Sequence, residues 1–108
     1  PYEEAKVNNN EIKAKIISIN KFGSLHLNIM ASEWDKLNLK FGDFVKLIFN
    51  KKSTNVTYHV TFGDVEKGKQ LIFKDDYGRM EIAINQGSFK GKYNLKIGNN
   101  CKIKKILK

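Results

Sequence analysis

Cysteine is nearly absent from this chain of 108 residues: Cys101 stands alone. It can form no internal disulfide, which excludes a disulfide-stapled scaffold and points to a reducing, cytoplasmic compartment. Its strand-like neighbours mark it as a small buried hydrophobe. Histidine occurs only at His26 and His59. No Cys or His pair has ligand spacing, so no metal site is expected. No apolar run approaches the ~20 residues of a membrane-crossing helix, and no membrane partner is expected. The first eleven residues are polar and Asn-rich, unlike a signal peptide. No Ser or Cys sits in a nucleophile elbow with an orienting partner. Gly68-Lys69 and Gly91-Lys92 lack the flanking residues of a phosphate loop. The chain therefore offers no catalytic residue of its own, and no cofactor is called for.

Arginine is as scarce as cysteine. The net charge is +9, yet nineteen of the twenty basic residues are Lys and only Arg79 is Arg. Surfaces that read phosphates and bases favour the bidentate guanidinium. Twelve Asn and many Ile accompany the lysines, a pattern that AT-rich coding explains. The composition thus speaks against nucleic acid. A small basic barrel that binds nucleic acid or a protein partner stays as the alternative function.

What is present is strand signal. Ile12, Ala14 and Ile16 alternate with Lys13 and Lys15; Leu25, Leu27 and Ile29 alternate with His26 and Asn28. Similar runs lie at Val45, Leu47 and Phe49; at Val56, Tyr58, Val60 and Phe62; at Leu71 and Phe73; at Met80, Ile82 and Ile84; and at Cys101 and Ile103. Short helical turns are expected after Ser32, with Asp35 in the capping-box place, and after Ser88. Residues 1–11 read as a linker and 12–108 as one domain.

The chain also repeats itself. Ile16-Ile17-Ser18-Ile19-Asn20-Lys21-Phe22-Gly23 corresponds to Leu71-Ile72-Phe73-Lys74-Asp75-Asp76-Tyr77-Gly78 at an offset of 55. One residue later in register, the ten residues from Asn38 correspond to the ten from Asn94, with five identities. Each copy reads strand, aromatic-Gly turn, strand, helical turn, Gly-Asp or Gly-Asn turn, strand. The glycines after Phe22 and Tyr77 supply the positive φ of a tight hairpin. One copy exposes an apolar sheet face; two facing copies bury both, and closure removes free edges. The expected fold is all-β: a small closed or nearly closed barrel of about seven strands, with an internal duplicated strand–turn–strand unit and one or two short helical turns. Residues 56–62 would be the extra strand joining the halves. Trp34 reads as a core plug. Phe22 and Tyr77 are placed to pack a turn or to stack on a flat ligand. Asp75-Asp76 suits a hairpin tip.

Four ordered segments carry a resemblance. Ile19-Asn20-Lys21-Phe22-Gly23-Ser24-Leu25-His26-Leu27-Asn28-Ile29 resembles I-D-R-F-G-N-L-x-T-N-I of the S-adenosyl-L-methionine (SAM) hydroxide adenosyltransferases, relatives of the SAM-dependent chlorinase and fluorinase. Thr61-Phe62-Gly63-Asp64-Val65-Glu66-Lys67-Gly68-Lys69 resembles their T-Y-S-D-V-x-x-G-E. Tyr77-Gly78-Arg79-Met80-Glu81-Ile82-Ala83-Ile84-Asn85-Gln86-Gly87 resembles x-G-x-L-E-I-A-x-N-x-G, and Leu95-Lys96-Ile97-Gly98-Asn99 the closing L-x-x-G-D. The resemblance implies a C-terminal β-barrel domain that works with a larger N-terminal α/β domain, in a homotrimer when full length. It implies SAM as substrate, bound between the barrel and the α/β domain of a neighbouring subunit, and hydrolysis to adenosine and methionine by groups outside the barrel. Carried over by position, Asn20 falls on the Asp that holds the methionine amino group and Phe22 on the turn aromatic. Ser24 falls on an Asn that reads adenine. Asp76 falls on a Ser near the carboxylate, with Tyr77 beside it. Asn85 and Gln86 fall at the adenine edge, and Phe62 near a stacking position. The function expected on this ground is noncatalytic contact with the adenine and methionine parts of SAM.

Overall fold

The computed structural model describes residues 4–106. Eight strands make one sheet: β1 (Lys6–Asn8), β2 (Glu11–Ile19), β3 (Leu25–Met30), β4 (Phe44–Phe49), β5 (Lys52–Tyr58), β6 (Gln70–Lys74), β7 (Arg79–Ile84) and β8 (Asn100–Lys105). Their order is β1-β2-β3-β7-β6-β5-β4-β8, and β2 also pairs with β8. That pairing closes β2 to β8 into a barrel of seven strands, with β1 outside it against β2. Neighbours run antiparallel except β5 and β6, which are parallel. Two one-turn helices, α1 (Ala31–Asp35) and α2 (Phe89–Tyr93), follow β3 and β7.

The period-2 pattern sorts residues as the pleat requires. Ile12, Ile16, Leu25, Leu27, Ile29, Val45, Leu47, Val56, Ile72, Met80, Ile82 and Ile103 all point into one core. Trp34 of α1 and Phe89 of α2 are buried with it. Trp34 meets Tyr58 edge-on at 5.2 Å, and Phe89 packs on Tyr93 at 4.7 Å. Truncating a buried aromatic of this kind costs about 3–5 kcal/mol. Where the ladder between β2 and β3 shifts, the buried Asn28 lends its Oδ1 to Lys15 N–H at 2.8 Å.

The repeat holds at atomic detail. The hairpin β2–β3, helix α1 and strand β4 correspond to β6–β7, α2 and β8. Asn38 and Asn94 both take positive φ, 54° and 53°. The Lys40 N–H donates to Asp43 at 2.9 Å and the Lys96 N–H to Asn99 at 2.9 Å. One seam breaks the symmetry: β2 pairs directly with β8, whereas β5 lies between their counterparts β6 and β4. The extra strand is therefore real but ends earlier than expected. It covers Lys52–Tyr58, and Phe62 belongs to a 3₁₀ turn, Phe62–Asp64. The Asp64 carboxylate accepts from both Val60 N–H and Thr61 N–H at 3.1 Å, which removes those donors from any ladder.

Two further expectations change. Helix α1 begins at Ala31 rather than after Ser32, because the Glu33 carboxylate reaches back to the Met30 N–H at 2.8 Å. Within the stretch read as linker, residues 6–8 form β1 and Ala5 is buried, because the long N-terminal half of β2 offers them an edge. Residues 1–3 of that stretch lie outside the described residues.

Candidate functional site

The two hairpin turns share one construction. In the first, Asn20 Oδ1 accepts from Phe22 N–H at 2.9 Å and Ser24 N–H at 3.1 Å. In the second, Asp75 Oδ1 accepts from Tyr77 N–H at 2.8 Å and Arg79 N–H at 3.0 Å. Gly23 and Gly78 follow with φ of 81° and 80°. This is why Asn and Asp stand here: a short side-chain carbonyl closes the turn on its own backbone. Each turn then docks on the helix of the other half. Gly23 C=O accepts from Lys90 N–H at 2.9 Å, and Gly78 C=O from Ala31 N–H at 2.7 Å.

The surroundings differ. Gly23 is buried against the Ser88 side chain that caps α2, with Gly91 N–H donating to Ser88 Oγ at 2.9 Å. A cleft of about 510 Å³ opens beside this turn, lined by Asn20, Lys21, Ser88, Lys90, Lys96 and Ile97 among others. Such a volume suits a nucleoside-sized ligand. Gly78 has open space around it. A comparable cleft of about 500 Å³ on β2, β4 and β8 is flanked by Lys6, Lys13, Lys15 and Lys102 and holds none of the residues expected to meet a ligand.

The residues expected to meet a ligand divide into groups. Asn20, Phe22 and Ser24 lie in the first turn. Asn85 and Gln86 lie near it at the end of β7, since Leu25 pairs with Ile82. Asp76 and Tyr77 lie in the second turn, separated from Asn85 by the length of β7, about 20 Å of strand. Phe22 and Tyr77 are 67% and 88% exposed, so neither ring packs its turn. Ser24 is only 3% exposed and offers a ligand little area. Asn85 Nδ2 donates to Val65 C=O at 2.8 Å, so its amide anchors the loop that follows Phe62. Phe62 meets Phe73 edge-on at 5.2 Å, outside the barrel. Asp76 and Gln86 are exposed.

The sequence matches the family model of the SAM hydroxide adenosyltransferase C-terminal domain over residues 14–102. The chain belongs to this family. A crystal structure of an uncharacterized conserved protein from Thermotoga maritima is similar over 97% of the chain, with 27% identity and a TM-score of 0.92. A conserved hypothetical protein from Thermus thermophilus shares the fold over 84% of the chain, with 23% identity and a TM-score of 0.62. The chain spans 40% and 34% of those two proteins' lengths.

As a SAM hydroxide adenosyltransferase C-terminal domain, the chain sets its two Gly turns on a closed barrel. Cys101 is buried, and burial pushes its thiol far above the usual range, which leaves it unreactive. No described helix is long and apolar enough to cross a membrane. Sequence motifs alone do not connect His26 with Glu81. Glu81 is buried on β7 opposite His26 of β3. Burial raises its carboxyl above the ordinary value; the His26 charge opposes this, and Asp75 and Asp76 add to it. Only the register of β3 on β7 brings these side chains together.

Proposed function

We propose that this domain supplies the adenine- and methionine-contacting surface of a SAM-cleaving enzyme and breaks no bond itself. The observation that carries the reading is the pair of side-chain-closed Gly turns, kept at the family's motif positions in a chain that matches the family model from 14 to 102. In this reading the reacting groups come from an N-terminal α/β domain of a neighbouring subunit in a cytoplasmic homotrimer. SAM is substrate, and no further cofactor takes part.

The local chemistry says which part of SAM is held. Asn20 Oδ1 is engaged by two backbone donors, which leaves its Nδ2, a donor, for the ligand. An ammonium is also a donor, so Asn20 cannot replace the family's Asp as its acceptor. Asp76, where the family has Ser, lies in the second turn, about 20 Å along β7 from the first, and does not reach the same amino-acid group. The departure at Asn20 falls at the methionine end. The adenosine end therefore dominates binding, and SAM gains little over adenosine.

Calorimetric titration of adenosine and of SAM tests this, with the protein combined with an N-terminal α/β domain of the family and product release followed by chromatography. Comparable affinities for both ligands are expected, with adenosine formed only in the combined sample. Absence of binding by either ligand would overturn the reading.

A further inference from the structure

Away from the cleft at the first turn, three side chains from three elements converge on the outer face of the barrel. His26 comes from β3, Glu81 from the position opposite it on β7, and Asp75 from the second turn. One ligand atom from each lies within 4.8 Å of the other two. His26 Nδ1 stands 3.5 Å from Asp75 Oδ2, and Nε2 stands 3.5 Å from Glu81 Oε1.

A charge-assisted N–H···O bond closes to about 2.7–2.9 Å, and neither contact does. The edge of a tetrahedron with metal–ligand bonds of about 2.1 Å is near 3.4 Å. The gap at whichever ring nitrogen holds the ion has that length. The second carboxylate, on the other side of the ring and within 4.8 Å of the other two ligand atoms, closes in on binding. The carboxylates are in place for an ion: the Asp75 and Glu81 side chains are 8% and 9% exposed, and His26 is 22% exposed. Glu81 is nine-tenths buried, and among the described residues its carboxylate finds no hydrogen-bond partner outside this cluster. Asp75 is aimed by the turn itself, because its other oxygen, Oδ1, is fixed by Tyr77 N–H and Arg79 N–H. Such fixing of a ligand by its second contacts is how metal sites orient their donors. The partial exposure of His26 leaves a way in and room for water.

We propose that His26, Asp75 and Glu81 form a binding site for a divalent cation of the Zn²⁺ class, with water completing the coordination. One imidazole and two carboxylates suit Zn²⁺ better than the hard, all-oxygen preference of Mg²⁺ or Ca²⁺. The ion takes one ring nitrogen and ties β3, β7 and the second turn together. Two anionic carboxylates balance its charge.

The test is titration of Zn²⁺ into protein stripped of metal with a chelator, by calorimetry and by thermal melting, with Co²⁺ absorption reporting the coordination. One saturable equivalent and a raised melting temperature are expected. Asp75→Asn is the cleanest variant, because Asn20 shows that an amide supports the same turn. It removes the anionic Oδ2 and leaves the turn intact. Asp75→Asn and His26→Gln should each weaken binding by more than about tenfold, since even outer partners of metal ligands matter by that much. His59→Gln should change nothing. Glu81→Gln carries the same test if another variant fails to fold. No saturable equivalent in the unaltered protein, or equal affinity in Asp75→Asn and His26→Gln, would overturn the proposal.

Discussion

The first hairpin turn and the second are the same object in two settings. Each is closed by a side-chain oxygen on two backbone N–H groups, and each bends at a glycine near φ 80°. The first is wedged under α2: a Cβ on Gly23 would stand 1.9 Å from Ser88 Oγ and 3.1 Å from its Cα. The second stands clear, with nothing within 4 Å of the equivalent point on Gly78. Duplication fixed the turn; the packing around each copy then assigned different work. The wedged copy borders the nucleoside-sized cleft, and the free copy presents Asp75 to His26.

The largest expected effect breaks this comparison where it is sharpest. Gly23→Ala combines left-handed strain of about 1–2 kcal/mol with overpacking of about 1–3 kcal/mol, whereas Gly78→Ala carries the strain alone. Urea unfolding should place Gly23→Ala well below Gly78→Ala in stability, and equal losses would mean that the wedge is not there. Next comes Asn20→Asp, which gives the first turn the second turn's acid. It should leave stability unchanged, as Asp75 in the same geometry implies, and tighten SAM about tenfold through a charge-assisted bond while leaving adenosine unaffected. Calorimetry with both ligands reads the difference. Asn20→Ala and Asp75→Ala should each lose about 1 kcal/mol of unfolding free energy, the net worth of a hydrogen-bonded cap. The smallest effects belong to Phe22→Ala and Tyr77→Ala. With both rings largely exposed, thermal melts should stay within about 0.5 kcal/mol of the parent, and a loss at one turn alone would show that its ring packs after all.

Much of the fold is legible in the sequence. The offset between the copies locates both turns, both helices and the two hairpins, because apolar period and Gly placement survive duplication. Ser88 caps its helix as its position implies, and Trp34 fills the core. The misses have local causes. The alternation from Val56 runs on through Phe62, but the strand stops where Asp64 takes the next N–H groups. Ser32 resembles a cap, yet Glu33 caps Met30 instead. Residues 6–8 are too short and polar to announce a strand; the edge of β2 that β3 leaves open makes them one. At the site, the motifs place the turns but not their burial, so the closing-in of Ser24 leaves no mark on the sequence. The cluster of His26, Asp75 and Glu81 spans 55 positions of chain. Ligand spacing along the sequence holds no trace of it, because strand register alone assembles it.

The most direct measurement of the central claim is a set of amide chemical shifts. The ¹⁵N-labelled chain, combined with an unlabelled N-terminal α/β domain of the family, is titrated with adenosine. The account predicts saturable shifts at Phe22, Gly23 and Ser24 together with Asn85 and Gln86, and no comparable shifts at Tyr77 and Gly78. Saturable shifts confined to the second turn, or no saturable shift anywhere in the chain, would contradict it.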